Sequence, residues 1–385
     1  MTLPEFIAEW QSDSPTLLVH TSGSTGQPKP LWVEKRRMEA SARITCQFLG
    51  LRPADTALLC LPLDYIAGKM MVVRSLVCGL KLIAVEPSGH PLSTSNLSST
   101  PSPSNPPPSP SQGEGCLDSS VTSDSSRKSN QAPLPLGGVG GGYQTSPLTF
   151  AAMVPLQVYN SLRVPEERER LMQIRHLIIG GGAVDAALAE ELKTFPHAVW
   201  STYGMTETLS HIALRRLSGP DATEWYTPLE GVALSLSADS CLVVDAPAVH
   251  EGPLVTNDIA ELVQGRFRIL GRKDNVICSG GVKIQAEEAE RLLAPHMAAP
   301  FLVTKRRDAK YGEAVVLLTE GTVEAARAAC MVCLPKHWQP RYYHHTDCIP
   351  LTETGKPARH LAQQMAEKLP NAECEPNVTN VTDDE

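Results

Sequence analysis

Short apolar runs punctuate the chain: TLLV at 16–19, ALLCL at 57–61, KLIAV at 81–85, HLIIG at 176–180, HAVWS at 197–201 and RFRIL at 266–270. Their length and β-branched content read as strands. Between them, residues 35–49, 68–79, 184–194 and 285–293 carry helical periodicity. Such alternation predicts an α/β architecture. Past about residue 272 the elements shorten, with strands near 300–305 and 314–319 and helices near 323–334 and 357–368. The expected organisation is a large α/β domain over 1–271 and a small α+β domain over 272–385.

One segment breaks this pattern. Residues 93–135 contain 14 Ser and 8 Pro among 43 residues and no aromatic. Too little apolar area is present to offset ordering entropy, so a disordered insertion near 91–147, including GGVGGG at 137–142, is expected. Those glycines neither follow a strand nor open a helix, so they are no dinucleotide fingerprint. The tail near 371–385 is expected to be disordered too.

Composition narrows the function classes. Net charge is −8, and no Lys/Arg cluster forms a basic face, which argues against nucleic acid. No window approaches the roughly 20 apolar residues of a bilayer span. The first residues, MTLPEFIAEWQSDSP, lack a basic start and a signal-peptide core. Ten cysteines without disulfide-like spacing suit a reducing cytoplasm. CMVC at 330–333, with His344, His345 and Cys348 downstream, could suggest zinc. The alanine-rich setting VEAARAACMVCL favours a helix that buries small side chains instead.

The densest chemistry lies in HTSGSTGQPKP at 20–30, between the strands TLLVH and LWVEK. Gly23 and Gly26 allow close backbone approach, Thr21, Ser22, Ser24 and Thr25 offer hydroxyls, and Lys29 adds a cation. Together they describe a phosphate cradle. A Walker loop needs its lysine to open a helix, and Pro28 and Pro30 around Lys29 forbid that. Alone, the stretch could equally be a Ser/Gly-rich surface turn.

Further along the chain stand YGMTET at 203–208, TND at 256–258, GRKDNVICSGGVKI at 271–284 and PLTETGK at 350–356. With the loop at 20–30 these make five motifs, and in this order they resemble the acyl-adenylate-forming superfamily. The resemblance implies an AMP-forming acid–thiol ligase that uses ATP, Mg²⁺ and coenzyme A. It implies that 21–29 holds the β- and γ-phosphates, that Tyr203 stacks on adenine beside Gly181, Gly182 and Gly204, and that Thr206 meets the α-phosphate. Glu207 would hold Mg²⁺, a hard cation suited to carboxylate and phosphate oxygen. Asp258 would accept the ribose hydroxyls with Arg272 nearby, and Asp274 would mark the hinge of a mobile small domain. Lys356 would stabilise charge growing at the reacting phosphorus. Ser279, Gly280 and Gly281 would line the coenzyme A channel. Read singly, Glu207 is a solvated cap, IIGGGAVD a tight turn, Asp274 a turn residue and Lys356 a surface lysine.

The acid partner is read from LPLDYIAGKMMVVRSLVCGL at 61–80. From Lys69 to Leu80 the run is apolar almost all round, which predicts a buried helix with Arg74 inside it. A buried guanidinium needs an anion, either a protein carboxylate such as Asp64 or a carboxylate of the substrate. This segment and YGMTETLSHIALR resemble the o-succinylbenzoate–CoA ligases of menaquinone synthesis, in which the arginine position binds a substrate carboxylate. Ser210 and His211 could line the same pocket, and His211 could equally be structural. Most members of that family carry more chain before the phosphate loop, so a reduced large domain or an incomplete chain is expected. A ligase for another aryl or short acyl acid, and a non-catalytic adenylate-binding protein, remain as alternatives. The sequence does not decide between a monomer and a homodimer.

Overall fold

The computed structural model describes residues 1–20, 30–98, 148–352 and 356–369. The phosphate-loop residues Thr21, Ser22, Gly23, Ser24, Thr25, Gly26 and Lys29, most of the expected insertion, and the tail from 370 onward lie outside the described residues.

Helix α1 (Leu3–Gln11) starts on a capping box in which Thr2 and Glu5 bond each other's backbone. Strands β1 (Thr16–His20) and β2 (Pro30–Glu34) pair antiparallel, with His20 opposite Pro30. The phosphate-loop sequence therefore joins two paired strands, as the flanking apolar runs predict. Next come α2 (Lys35–Leu49), β3 (Thr56–Leu59), α3 (Ile66–Cys78), β4 (Lys81–Ala84) and α4 (Thr94–Ser98). Then follow β5 (Phe150–Met153), α5 (Pro155–Leu162), α6 (Pro165–Gln173), β6 (His176–Ile179), α7 (Ala186–Leu192), β7 (Ala198–Gly204), β8 (His211–Arg216) and β9 (Thr227–Pro228). Strands β3 to β9 make one seven-stranded sheet in the order β4-β3-β5-β6-β7-β8-β9. Neighbours from β4 to β7 are parallel, whereas β8 and β9 run antiparallel. The carboxyl ends of the parallel strands thus open on one edge, where α/β proteins hold ligands.

A four-stranded antiparallel sheet comes next: β10 (Ala233–Leu236), β11 (Cys241–Asp245), β12 (Leu254–Val263) and β13 (Arg266–Arg272). The last part holds β14 (Val276–Ser279), β15 (Val282–Gln285), α8 (Ala286–Leu293), β16 (Phe301–Asp308), β17 (Gly312–Thr319), α9 (Val323–Cys333), β18 (Tyr342–His345) and α10 (Arg359–Glu367). One apolar core draws on residues from Phe6 to Phe267, and two smaller ones on residues from Ile277 to Ala366. No helix among the described residues is long and apolar enough to cross a membrane.

Helices α2 and α3 form one wall of the large domain and pack directly on each other. In α2 the buried positions Met38, Ser41, Ala42, Thr45, Cys46 and Leu49 form one stripe at helical spacing. In α3 every residue from Gly68 to Ser75 is buried, as its unbroken apolar run predicts.

One expectation changes. Composition predicts disorder from the start of the Ser/Pro-rich stretch, yet Thr94–Ser98 is helical. The Ser93 hydroxyl accepts from the Asn96 amide, the Asn96 side chain donates to Ser88 and to the His90 carbonyl, and Arg170 donates to the Leu92 carbonyl and Thr94. Helix α9 buries the small side chains Ala326, Ala329 and Cys330, as its alanine-rich sequence predicts, and leaves Met331 and Val332 exposed. Among the described residues no cluster of three or more His, Cys, Asp or Glu could hold a metal.

Candidate active site

The hairpin β7–β8 builds the centre of the site. Gly204 stands opposite His211, with a register shift just before it. A Cβ on Gly204 would lie 2.2 Å from the Ser210 carbonyl oxygen, so only glycine lets the strands approach this closely. Thr206–Thr208 forms a single 3₁₀ turn in the connection. The buried Thr208 hydroxyl accepts from the Met205 amide and lies 2.8 Å from the Ser210 carbonyl. Leu209, also buried, is held at φ +65°, a strained backbone for a leucine. Thr206 is buried, and Glu207 projects into solvent with no hydrogen bond or ion pair among the described residues.

Three of the residues assigned to the nucleotide, Tyr203, Asp258 and Arg272, form a connected group with Asp274, the residue assigned to the hinge. The Tyr203 hydroxyl donates to Asp258 Oδ2 at 2.6 Å, and Arg272 Nη1 donates to Asp258 Oδ1 at 3.3 Å. Arg272 Nη2 reaches Asp274 Oδ2 at 3.1 Å, and the Asn257 amide reaches the same oxygen at 3.3 Å. Burial, then the Asp258 charge, pushes the Tyr203 phenol well above its ordinary pKa, so it stays a donor. Its ring packs edge-on against Phe267 and tilted against Tyr226. Each Asp258 oxygen already serves one protein donor, so a ribose would share the carboxylate. Ile179 pairs with Ser201, which places Gly181 and Gly182 beside Tyr203 at neighbouring strand ends. Gly181 takes φ +76° there.

Lys356 belongs to the same neighbourhood. Its loop is closed at the stem by a bridge between Leu351 and Pro357 and by the Thr352 amide donating to the Lys356 carbonyl at 2.7 Å. Three residues on, Arg359 grips Glu290 with both guanidinium nitrogens and ties this loop to α8. Lys356 is half-buried, and its pKa is lowered by burial and then by repulsion from Arg272. Arg272, the cation that pairs with Asp258, thus acts electrostatically on the Lys356 ammonium.

On the other side of the hairpin, Arg74, Ser210 and His211 meet as the sequence suggests. Arg74 is 2% exposed, and its Nη2 donates to Ser210 Oγ at 2.6 Å. Among the described residues its Nη1 bonds only to the Met71 sulfur, at 3.8 Å, and its Nε has no hydrogen-bond partner. Burial lowers its pKa to about 10. Among the described residues no carboxylate pairs with it. Asp64, the protein partner considered from the sequence, is corrected: it is exposed and faces the Met1 amino group at 3.4 Å. The reason is helical rise, since Arg74 lies eight residues past the start of α3, roughly 12 Å along the axis.

The stretch assigned to coenzyme A forms the tip of the β14–β15 hairpin. Gly280 and Gly281 both take positive φ, at +58° and +83°, which suits a two-residue turn. The Gly280 amide donates to the Tyr311 carbonyl, and Ser279 pairs with Gly312.

Sequence reasoning missed Thr45, Tyr226 and Phe267. Tyr226 and Phe267 stack with ring centroids 5.3 Å apart and brace Tyr203. Thr45 contacts His211 across 166 positions of sequence. The signal for Thr45 was a hydroxyl on the buried stripe of α2. As for the metal, Glu207, an exposed carboxylate without a partner among the described residues, fits Mg²⁺, which takes one or two carboxylates together with ligand phosphates rather than a protein cage.

The chain as a whole is similar to known proteins. The model of the AMP-binding enzyme family matches residues 3–253. The chain is 24% identical over 336 residues to the 2-succinylbenzoate–CoA ligase of Salmonella typhimurium, covering 83% of this chain. It spans 61% of that relative's length. An AMP-forming acyl-CoA synthetase/AMP-acid ligase II-like protein of Dyadobacter fermentans aligns with TM-score 0.56 and 28% identity, over 94% of this chain and 92% of that one. The o-succinylbenzoate coenzyme A synthetase MenE of Bacillus subtilis, solved with ATP and magnesium, aligns with TM-score 0.66 and 21% identity, over 91% of this chain and 70% of that one. The chain belongs to the AMP-binding enzyme family and has its two-domain α/β fold, that of the adenylate-forming ligases its motifs resemble.

Proposed function

We propose that this chain is an AMP-forming acyl-CoA ligase and that its acid is o-succinylbenzoate. In the first half-reaction an oxygen of the succinyl carboxylate bonds to the α-phosphorus of ATP. The bond from that phosphorus to the β-phosphate oxygen breaks, and pyrophosphate leaves. In the second half-reaction the coenzyme A thiol, losing its proton, bonds to the acyl carbon, and AMP leaves. Asp258, Arg272 and Tyr203 hold and orient the ribose end of the nucleotide. Lys356 places its charge where negative charge accumulates on phosphate and carboxylate oxygens. Glu207 would hold Mg²⁺, which when bound offsets phosphate charge.

One observation carries the choice of acid. Arg74 is a fully desolvated guanidinium with unused donors and no carboxylate partner among the described residues. A charge in that state is costly unless an anion joins it. A substrate with two carboxylates supplies that anion while presenting the other for activation. The names of the relatives support the same acid.

The test is pyrophosphate release over a panel of acids, followed by thioester formation with coenzyme A. O-succinylbenzoate is expected to give the highest kcat/KM. A panel in which acids lacking the ring carboxylate react best would remove this substrate, and no release with any acid would remove the ligase reading.

A further inference from the structure

We infer that Thr45 is a positioning residue of the acyl site. Through a one-way chain of hydrogen bonds it fixes which nitrogen of His211 carries the proton, and so how Ser210 holds Arg74. The effect on acid binding rests on the acyl-pocket reading of Arg74, whereas the direction of the chain does not.

The direction follows from counting protons. A guanidinium only donates, so Ser210 Oγ accepts from Arg74 Nη2 at 2.6 Å. At the far end a carbonyl only accepts, so the Thr45 hydroxyl donates to the Ser41 carbonyl at 3.0 Å. That hydroxyl has one proton and has used it. Toward His211 Nε2, at 3.1 Å, Thr45 must therefore accept, which places the imidazole proton on Nε2. Nδ1 is then a lone pair and accepts the Ser210 hydroxyl proton across 3.2 Å. Every proton has an acceptor: Arg74 to Ser210, Ser210 to His211, His211 to Thr45, Thr45 to Ser41.

The opposite polarity is worse on two counts. Thr45 would donate to Nε2, and Nδ1–H would point at a hydroxyl that already faces a cation. The Ser210 proton would have no acceptor, because Arg74 and His211 are its partners among the described residues. Ser210 is half-buried, so that proton would have to turn toward solvent and forgo the imidazole lone pair 3.2 Å away. Thr45 and Ser41 lie one helical turn apart on the buried stripe of α2, so the anchor is rigid. With Ser210 held this way, the guanidinium is fixed by one nitrogen, and its other donors stay available to an anion.

Imidazole ¹⁵N NMR of His-labelled protein, with His211 assigned by His211→Gln, reads the tautomer directly. The wild type is expected to show the Nε2–H form. Thr45→Val should shift His211 toward Nδ1–H and raise KM for the acid about tenfold, near 1.4 kcal/mol, with KM for ATP changed by less than about twofold. Thr45→Ser should restore both. A wild-type Nδ1–H tautomer overturns the inference, as does a folded Thr45→Val protein with an unchanged tautomer. If Thr45→Val fails to fold, the wild-type tautomer and Thr45→Ser still decide. If the tautomers behave as expected while dicarboxylic acids show no preference, the chain stands and the substrate reading falls.

Discussion

The two flanks of the β7–β8 hairpin handle charge in opposite ways. On the nucleotide flank, Arg272 is partly exposed and shared between Asp258 and Asp274, so its charge is already balanced. On the acyl flank, Arg74 is buried and touches a hydroxyl and a thioether but no carboxylate among the described residues. The first arrangement tolerates the absence of ligand and is preformed for a polar one. The second is an unpaired buried charge held at a cost to the fold, which under the proposed function a substrate carboxylate completes. Under the proposed function, the acyl flank selects for a charge, whereas the nucleotide flank selects for a shape with hydroxyls.

That contrast can be broken or sharpened by substitution. Largest should be Lys356→Ala, expected to lower the adenylation rate by roughly 10²–10³, as loss of one donor at a developing charge does elsewhere. Thioester formation from supplied acyl-AMP should fall far less, and equal losses in single-turnover assays would contradict the role. Next, Arg74→Met should stabilise the ligand-free protein by about 1–4 kcal/mol, since it removes an unpaired buried charge at similar volume. Arg272→Met should destabilise, and urea denaturation of both variants checks the opposite signs.

Protonation gives a third comparison. Burial, then Arg74, holds the His211 pKa well below its ordinary value, so the unfolded chain binds this proton and the folded one does not. Stability should therefore be full above pH of about 6.5 and decline below it by up to about 1.4 kcal/mol per pH unit from this group. His211→Gln should reduce that acid-side slope, and denaturation curves across pH measure it. Smallest, Tyr203→Phe removes one donor from Asp258 and should raise KM for ATP by roughly fivefold, about 1 kcal/mol, while KM for the acid stays put.

Legibility in the sequence tracked how local each signal was. The apolar run of α3 with its single arginine could be read directly, because burial on every face leaves few alternatives for a guanidinium. Ser210 and His211 could be read because they adjoin the YGMTET motif. Thr45 could not, since a threonine in KRRMEASARITCQFL looks like any polar helix residue until α3 and β8 close over it. The sheet β10–β13 was largely missed because its strands alternate weakly, with three of four residues of β10 exposed. Asp64 was wrongly considered for Arg74 because closeness in sequence is not closeness along a helix axis. The small first turn of the Ser-rich stretch escaped composition arguments because its caps come from Ser88, His90 and Arg170, outside that stretch.

The claim that Arg74 awaits a carboxylate from the substrate is tested most directly by a two-by-two comparison. Wild type and Arg74→Met are each titrated calorimetrically with o-succinylbenzoate and with the analogue that lacks the ring carboxylate. Wild type should favour the dicarboxylate by about 10²-fold, near 2.7 kcal/mol, and the preference should vanish in Arg74→Met. A preference of the same size in both proteins would contradict the account.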